Sequence, residues 1–162
     1  MAKKMSLHVV SATAIIFKRG KVLIAQRHRN EKVWPSYWTV PGGKIEYDDY
    51  KNMPKNKEGL WYNAIELSLR REVKEEVKLE IKNIDYVCDM TFMRPDGNPG
   101  IILSFMADWK KGKVKLCSEL EDFKWVDLKE AKNYQLIDGI YEEIVLAYKL
   151  KSGQRADRLI YA

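Results

Sequence analysis

The feature that most constrains the fold is a change in the spacing of apolar residues near residue 61. Upstream, residues 7–27 are rich in β-branched residues and are divided by a Gly-containing turn, which predicts a β-hairpin. Downstream, apolar residues recur at every fourth position: Ile65, Leu69, Val73 and Val77. This spacing predicts an amphipathic helix over about residues 61–78, with its apolar stripe packed on the core.

The rest of the chain continues the mixture of strands and helices. Strands are predicted at 80–93, 99–109 and 124–126, and Asp127 is suited to cap a short helix. A last amphipathic helix is predicted at about 138–151, and residues 47–60 lack any periodicity, which predicts a surface loop. These elements indicate an α+β fold, an α/β/α sandwich built on a mixed β-sheet.

Length and charge limit the function classes. The 162 residues suit a single domain over 1–162, and no repeat or low-complexity tract is present. The net charge of +6 favours polyanionic partners such as nucleotides, with nucleic acid as the less favoured choice. The apolar stretches 9–17 and 101–107 are too short to cross a bilayer. No secretory signal is evident, and Cys88 and Cys117 are too few for a disulfide framework, so we expect a cytoplasmic protein with both thiols reduced and buried.

Three glutamates on the predicted helix are the strongest functional signal. Glu72, Glu75 and Glu76 follow the spacing i, i+3, i+4, which places their side chains on one side of a helix. Like charges at this spacing repel one another, and a hard divalent cation such as Mg²⁺ would compensate the repulsion. A solvated helix face is the alternative, because Glu and Lys are ordinary helix formers.

The surroundings of the glutamates favour the metal interpretation. The segments YWTVPGGKIE and REVKEEVKL, together with the opening AIIFKRGKVLIAQR and the later LEDFKWVDL, resemble the Nudix (MutT-like) hydrolase family in the family's own order. The family box is written Gx5Ex7REUxEExGU, where U is a bulky apolar residue. The resemblance therefore implies the Nudix fold and a hydrolase that acts on acid anhydrides in phosphorus-containing compounds.

The resemblance also assigns roles to individual residues. It implies that Glu72, Glu75 and Glu76 hold Mg²⁺, for which Mn²⁺ can substitute, with help from the Gly43 carbonyl. Arg71 would orient a carboxylate, with a plain ion pair to Glu75 as the alternative. The catalytic residues would then be Glu75, Arg71 and a general base, for which Glu119 is the first choice and Glu121 the second.

The sequence departs from the family box in two places. Gly43 and Arg71 are 28 positions apart instead of 14, so a 14-residue insertion, at about 47–60, lies inside the box. The first acidic position is therefore open between Asp49, Glu58 and Asn63. Lys78 replaces the box glycine that follows the helix, so we expect a different helix end or a slightly longer helix.

The substrate is less well defined. The resemblance implies a Mg²⁺-dependent pyrophosphohydrolase that cleaves the diphosphate linkage of a nucleoside triphosphate or a nucleoside diphosphate derivative, such as a dNTP, an NDP-sugar or ADP-ribose. The rival is a catalytically weak Nudix-like domain that binds a nucleotide or RNA, and the oligomeric state is open, with a homodimer among the options. Candidate substrate contacts are Arg27 and Arg94 for phosphate and Trp34, Tyr37, Trp38 and Phe92 for a base, each with a core or surface role as the alternative.

Overall fold

The computed structural model describes residues 7–154, which form strands and helices in the mixture that the sequence predicts. The strands are β1 (Val9–Lys18), β2 (Lys21–Arg27), β3 (Trp38–Thr39), β4 (Gly42–Lys44), β5 (Glu80–Met93), β6 (Pro99–Lys111) and β7 (Leu120–Val126). The helices are α1 (Tyr47–Tyr50), α2 (Ala64–Val77), α3 (Leu128–Ala131) and α4 (Ile140–Lys151). The α+β class is confirmed; the single-domain prediction for 1–162 includes termini outside the described residues.

Strand β1 is the centre of a mixed sheet with the order β3-β2-β1-β6-β5. Along one edge, β1 pairs in parallel with β6, from Val9 opposite Gly100 to Phe17 opposite Asp108. Its other edge is divided: β4 pairs with residues 11–13, and β2 pairs with the end of the strand. Strands β3 and β7 pair with β2. The strand that carries Gly42 and Gly43 is thus held against the middle of the sheet.

The alternation of side chains along β1 builds a core on each face of the sheet. Ala12, Ala14 and Ile16 face α2 and belong to the cluster that contains Leu69, Val73 and Val77. Ile15 and Phe17 face the opposite way and pack with residues of α4. A helix therefore covers each face, which gives the predicted α/β/α sandwich. Leu69, Val73 and Val77 of the α2 stripe are completely buried, whereas Ile65 at the start of the helix is 37% exposed.

The end of α2 differs from the prediction. The helix neither runs on nor uses a different kind of stop: Lys78 itself adopts the left-handed conformation, with φ 59°, and its N–H bonds back to the Lys74 carbonyl at 3.2 Å. Glycine is the usual residue here because a Cβ makes this conformation unfavourable. Val77 and Leu79, on either side of Lys78, are both buried. Their burial favours a chain turn at Lys78, although the left-handed conformation is unfavourable for a lysine.

The box insertion is not wholly irregular, contrary to the prediction of a loop over 47–60. It begins with the helical turn α1, whose start is fixed by a hydrogen bond from the Glu46 N–H to the Asp49 carboxylate at 2.9 Å. Beyond it, Trp61 packs edge-on against Tyr47 and Tyr50. A short capped turn has no apolar period, so a search for periodicity could not find it.

Other boundaries shift by a few residues. α2 starts at Ala64 instead of about 61, β6 extends to Lys111, β7 begins at Leu120 instead of 124, and α4 starts at Ile140. Asp127 caps α3 as predicted, because its side chain accepts hydrogen bonds from the backbone N–H groups of Lys129 and Glu130.

Both cysteines are free, but they are half-buried and not fully buried as expected. Within residues 7–154, no helix is long and apolar enough to span a bilayer.

Candidate active site

Two glycines on β4 meet two glutamates on α2. The Gly42 N–H donates to Glu76 Oε2 at 2.9 Å. At Gly43, a Cβ atom would lie only 2.3 Å from the carboxyl carbon of Glu72, so any side chain here would collide with that carboxylate. Gly43 is therefore required for the Glu72 carboxylate to lie directly against the β4 backbone. Gly42 is required for a different reason, since a Cβ there would collide with the backbone of Ala12 and Thr13 on β1.

Arg71 connects this helix to the inserted segment. Its guanidinium donates through Nε and Nη2 to both carboxylate oxygens of Asp49, and through Nη2 to the Lys44 carbonyl at 3.1 Å. Nη1 lies 2.9 Å from Glu75 Oε2 and 3.0 Å from Glu72 Oε1. Arg71 therefore orients carboxylates, as the resemblance implies, and it also makes the alternative i, i+4 pair with Glu75.

The structure distinguishes the three candidates for the first acidic box position. The Asp49 side chain is 4% exposed and meets Arg71. Glu58 is exposed within the insertion, and Asn63 precedes α2 in a left-handed conformation without a side-chain cap bond. Asp49 is the candidate brought to the box arginine, and that contact holds the pKa of its carboxyl at about 2.

The two glutamates nearest the glycines are electrostatically strained. Burial raises the pKa of Glu76 to about 7 against the opposing Gly42 hydrogen bond, and the charges of Glu72 and Glu119 raise it further. Burial also raises the pKa of Glu72, although Arg71 opposes the shift. Glu75 is different, because its side chain is 59% exposed. The site therefore holds more negative charge than its own groups neutralise.

The proposed general bases fall into different surroundings. Glu119 lies close enough to Glu76 to act on its charge, and its carbonyl accepts the His28 N–H at 2.8 Å. Glu121 is paired with Arg29 at 2.9 Å. The connection between β6 and β7 is fixed to α2 by the Cys117 N–H, which donates to the Glu76 carbonyl at 2.9 Å. Of the two, Glu119 is the one near the glutamates of α2.

The candidate substrate contacts are scattered. Arg27 is near enough to Glu76 to lower its pKa, and it bonds Glu31 at 2.9 Å. Arg94 bonds Asp96 in the turn between β5 and β6. Trp38 is 7% exposed and packs on Tyr134 in the core beneath α4, so it takes the core role given above as its alternative. Trp34 and Phe92 are 46% and 43% exposed. The structure brings only Arg27 of these residues to the glutamates.

Sequence reasoning missed two backbone groups of this site. The Gly42 N–H and the Lys44 carbonyl fix Glu76 and Arg71, yet neither is a side chain that a residue pattern can select. The only available signal was the glycine pair itself, since adjacent glycines at a strand end indicate a close approach of other groups to the backbone.

The donor set suits a divalent cation. In residues 7–154, no group of three or more His, Cys, Asp or Glu side chains is already gathered in the geometry of a metal site. Carboxylate and carbonyl oxygens are nevertheless the donors that Mg²⁺ prefers. The Glu72 carboxylate occupies the space that a Cβ at Gly43 would fill, and Glu76 is a half-buried acid whose ionised form needs a positive partner. The oxygen donors of Glu72, Glu76 and the β4 backbone are therefore chemically suited to bind a divalent cation.

Sequence relatives carry Nudix names. The chain is 25% identical over 127 residues to the NAD-capped RNA hydrolase NudC of Vibrio atlanticus, which covers 78% of this chain. The chain spans 40% of the length of that relative. It is also 28% identical to the nucleoside triphosphatase NudI of Klebsiella pneumoniae, over 80% of this chain and 89% of that protein.

Solved structures share the fold. The MutT NUDIX hydrolase of Burkholderia pseudomallei superposes with a TM-score of 0.67 at 18% identity, covering 87% of this chain and 98% of that one. The NUDIX domain of Shewanella oneidensis NrtR, solved with ADP-ribose, has a TM-score of 0.65 at 19% identity, covering 93% and 91%. The family model for the NUDIX domain matches residues 7–146. The predicted family and fold are thus confirmed, and the chain belongs to the NUDIX family.

Proposed function

We propose that the chain is a Mg²⁺-dependent pyrophosphohydrolase that cleaves the diphosphate linkage of a nucleoside triphosphate or a nucleoside diphosphate derivative. The observation that carries the proposal is the placement of Glu72 and Glu76 against Gly42 and Gly43. A half-buried excess of carboxylate next to a bare backbone suits a cation and an anionic substrate better than it suits a purely structural contact.

The relatives support the chemical class. NUDIX membership and the hydrolase names of the sequence relatives support a hydrolase acting on acid anhydrides in phosphorus-containing compounds. A nucleotide derivative as substrate is consistent with the ADP-ribose bound by the Shewanella oneidensis neighbour. The metal, the exact substrate, a cytoplasmic location and a homodimer are not tested by these likenesses and stay predictions.

In the proposed mechanism, Glu72, Glu75, Glu76 and the Gly43 carbonyl would hold the divalent cation. When bound, the ion would neutralise the substrate's phosphate charge and polarise the bond to be cleaved. Arg71 positions Glu72 and Glu75 through its guanidinium and is itself fixed by Asp49. Glu119 would accept the proton of the water that attacks phosphorus. The bridging oxygen leaves on one product, and the water oxygen appears as a phosphate oxygen on the other.

The test is a substrate panel followed by isotope labelling. The purified chain would be incubated with dNTPs, NDP-sugars, ADP-ribose, dinucleoside polyphosphates and capped RNA, with Mg²⁺ or with EDTA. We expect turnover of at least one substrate with Mg²⁺ only, giving two phosphorylated products. Reaction in ¹⁸O-labelled water should put the label on a phosphate, whereas label on a sugar hydroxyl alone would contradict attack at phosphorus. Tight binding without turnover across the panel would favour the binding-domain alternative.

A further inference from the structure

The connection between β2 and β3, residues 28–37, begins at the candidate active site. Arg27, the last residue of β2, is near enough to Glu76 to lower its pKa. The next residue, His28, donates its backbone N–H to the Glu119 carbonyl at 2.8 Å. The connection therefore leaves the sheet beside Glu76 and beside the segment that carries the proposed general base.

Arg27 also closes this connection on itself. Its backbone N–H donates to the Tyr37 carbonyl at 2.9 Å, and its carbonyl accepts the Ser36 N–H at 3.2 Å. Its guanidinium donates through Nε to the Val33 carbonyl at 2.8 Å and through Nη2 to Glu31 at 2.9 Å. The arginine beside the active-site glutamates thus holds both sides of the connection, so the tip of the loop has a defined place relative to the site.

The tip of the connection exposes apolar side chains. Val33 is 48% exposed, and Trp34 is 46% exposed. The Trp34 ring meets Tyr37 nearly edge-on, with the ring centroids 5.1 Å apart and the planes at 65°. A contact of this geometry covers at most one face of the indole. Trp34 is therefore an aromatic ring that is supported by one neighbour and has a face left for another flat group.

The backbone at the tip is strained. Trp34 and Ser36 adopt left-handed conformations, with φ 51° and 62°, which are unfavourable for residues with a Cβ atom. The proline that follows Trp34 adds to the penalty, because it favours an extended conformation for the residue before it. The bonds of Arg27 to Val33 and Ser36 enclose this stretch and impose its shape. Strain of this kind is typical of segments that hold a side chain ready for a ligand.

Two other aromatic candidates for a base contact are less available. Trp38 lies in the core. The Phe92 ring already packs on the backbone of Gly100, where an added Cβ would lie 2.6 Å from the ring. Trp34 differs from both, because its side chain is exposed and the peptide group before it is bonded to Arg27.

We propose that Trp34 stacks on the base of the nucleotide substrate and thereby selects nucleotides over other phosphate esters. Stacking on an aromatic ring accepts any base, because every base has a flat π face, so the selection is for the presence of a base and not for its identity. Within residues 7–154, Nη1 of Arg27 makes no hydrogen bond, so it can donate to a phosphate of the same ligand. The chemical class of the ligand rests on the proposed function, but the role of Trp34 concerns binding and not hydrolysis.

Calorimetric titration of the full chain with Mg²⁺ tests this role with three probes. AMP and UMP carry a purine and a pyrimidine base, whereas ribose 5-phosphate has the same sugar phosphate without a base. None of the three has a diphosphate linkage, so none is consumed by the proposed hydrolysis. We expect both nucleotides to bind at least about fivefold tighter than ribose 5-phosphate.

Variants of Trp34 assign this preference to the ring. Trp34→Ala should weaken the binding of both nucleotides by about fivefold or more and change that of ribose 5-phosphate by less than about twofold. Trp34→Phe keeps a stacking ring and should restore most of the affinity. Tyr62→Ala is the matched control, because Tyr62 is an aromatic residue, 65% exposed, outside the connection. It should change no affinity by more than about twofold.

Three outcomes would overturn the role of Trp34. The first is the absence of saturable binding by either nucleotide up to about 10 mM. The second is equal affinity of the wild-type chain for ribose 5-phosphate, since the base would then contribute nothing. The third is a Trp34→Ala variant that binds nucleotides normally, or that loses affinity for all three probes alike. Circular dichroism melting of each variant shows whether such a general loss accompanies a less stable fold.

The outcomes for hydrolysis are separate. Turnover of a substrate in the panel, together with unchanged nucleotide binding in Trp34→Ala, would contradict the stacking role alone. Nucleotide binding that depends on Trp34, without turnover of any substrate, would contradict the proposed hydrolysis alone.

Discussion

The backbone N–H of Gly42 donates to the carboxylate of Glu76 across 34 positions of sequence, at 2.9 Å. This bond connects β4 to α2 and places a half-buried acid directly against a bare backbone. It also separates two properties of Glu76: the oxygen that accepts the bond is structural, whereas the negative charge is available to a cation.

Replacing Glu76 by Gln should separate these two properties. The amide oxygen of Gln can still accept the Gly42 N–H, so we expect a folded protein. The lost charge should lower kcat by at least about 10²-fold, because a missing metal ligand removes several kcal/mol of transition-state stabilisation. Glu75→Gln should give a loss of the same order. Steady-state rates at several Mg²⁺ concentrations provide the measurement.

Glu66→Gln is the matched control on the same helix, because Glu66 pairs only with Arg70 in the described residues. It should keep kcat within about twofold. Full activity in a folded Glu76→Gln or Glu75→Gln variant would eliminate that residue as a metal ligand.

Asp49→Asn should destabilise the protein in a pH-dependent way. Arg71 holds the pKa of Asp49 at about 2, below its usual 3.8. The stabilisation is therefore fully present above pH 3.8 and disappears as the pH falls through about 2. We expect a loss of about 1–3 kcal/mol in the free energy of unfolding at pH 7, which is typical of a charged hydrogen bond. The difference from wild type should shrink towards pH 2.

Urea unfolding at pH 7, 4 and 2.5 measures this difference. Asp48→Asn is the control, because Asp48 pairs with Lys51 on the surface and should contribute less than about 1 kcal/mol. A pH-independent loss in Asp49→Asn would mean that packing, and not the charge, explains the effect.

Lys78→Gly should stabilise the protein. Lys78 has φ 59°, a conformation that costs a residue with a Cβ about 1 kcal/mol relative to glycine. The gain should appear as a higher melting temperature with unchanged activity. Lys78→Ala keeps the Cβ and removes the bond from Nζ to the Glu75 carbonyl, so it should give no gain. If both variants behaved alike, the backbone conformation would not be the cause.

The stability of Glu143→Gln relative to wild type should increase as the pH rises. Glu143 is 1% exposed on α4, bonds Ser104, and has a second carboxyl oxygen that is buried without a partner. Burial raises its pKa above the usual 4.5, and the charge of Glu142 adds to the shift, against the Ser104 bond. Because the pKa is higher in the folded protein than in the unfolded chain, the folded protein binds more protons above pH 4.5, so wild-type stability falls as the pH rises through the folded pKa.

Glutamine cannot ionise, so the variant should lack this loss. The measurement is the difference in unfolding free energy between Glu143→Gln and wild type from pH 4.5 to 8, which should move in favour of the variant. Glu142→Gln removes the half-buried neighbouring charge that adds to the shift, so it should reduce the pH dependence without abolishing it. A difference that stayed constant over this range would contradict a raised pKa of Glu143.

The sequence by itself determined the parts of the protein that depend on neighbours along the chain. The four-residue period of Leu69, Val73 and Val77 defines α2 and its buried face, because a helix brings such positions together wherever it packs. The same local rule places Glu72 and Glu76 on one side, and the motif around them was sufficient to identify the family. Short elements such as α1 were not predicted, because four residues are too few to show a periodic spacing of apolar residues.

The tertiary structure decided the features that depend on contacts between segments distant in the sequence. Counting along the sequence could not choose between Asp49, Glu58 and Asn63, because an insertion removes the fixed spacing; only the packing of α1 on α2 brings Asp49 to Arg71. Lys78 likewise takes a conformation that its own residue type disfavours, because buried neighbours impose it. Local preferences amount to about 1 kcal/mol per residue, and the burial of a core exceeds them.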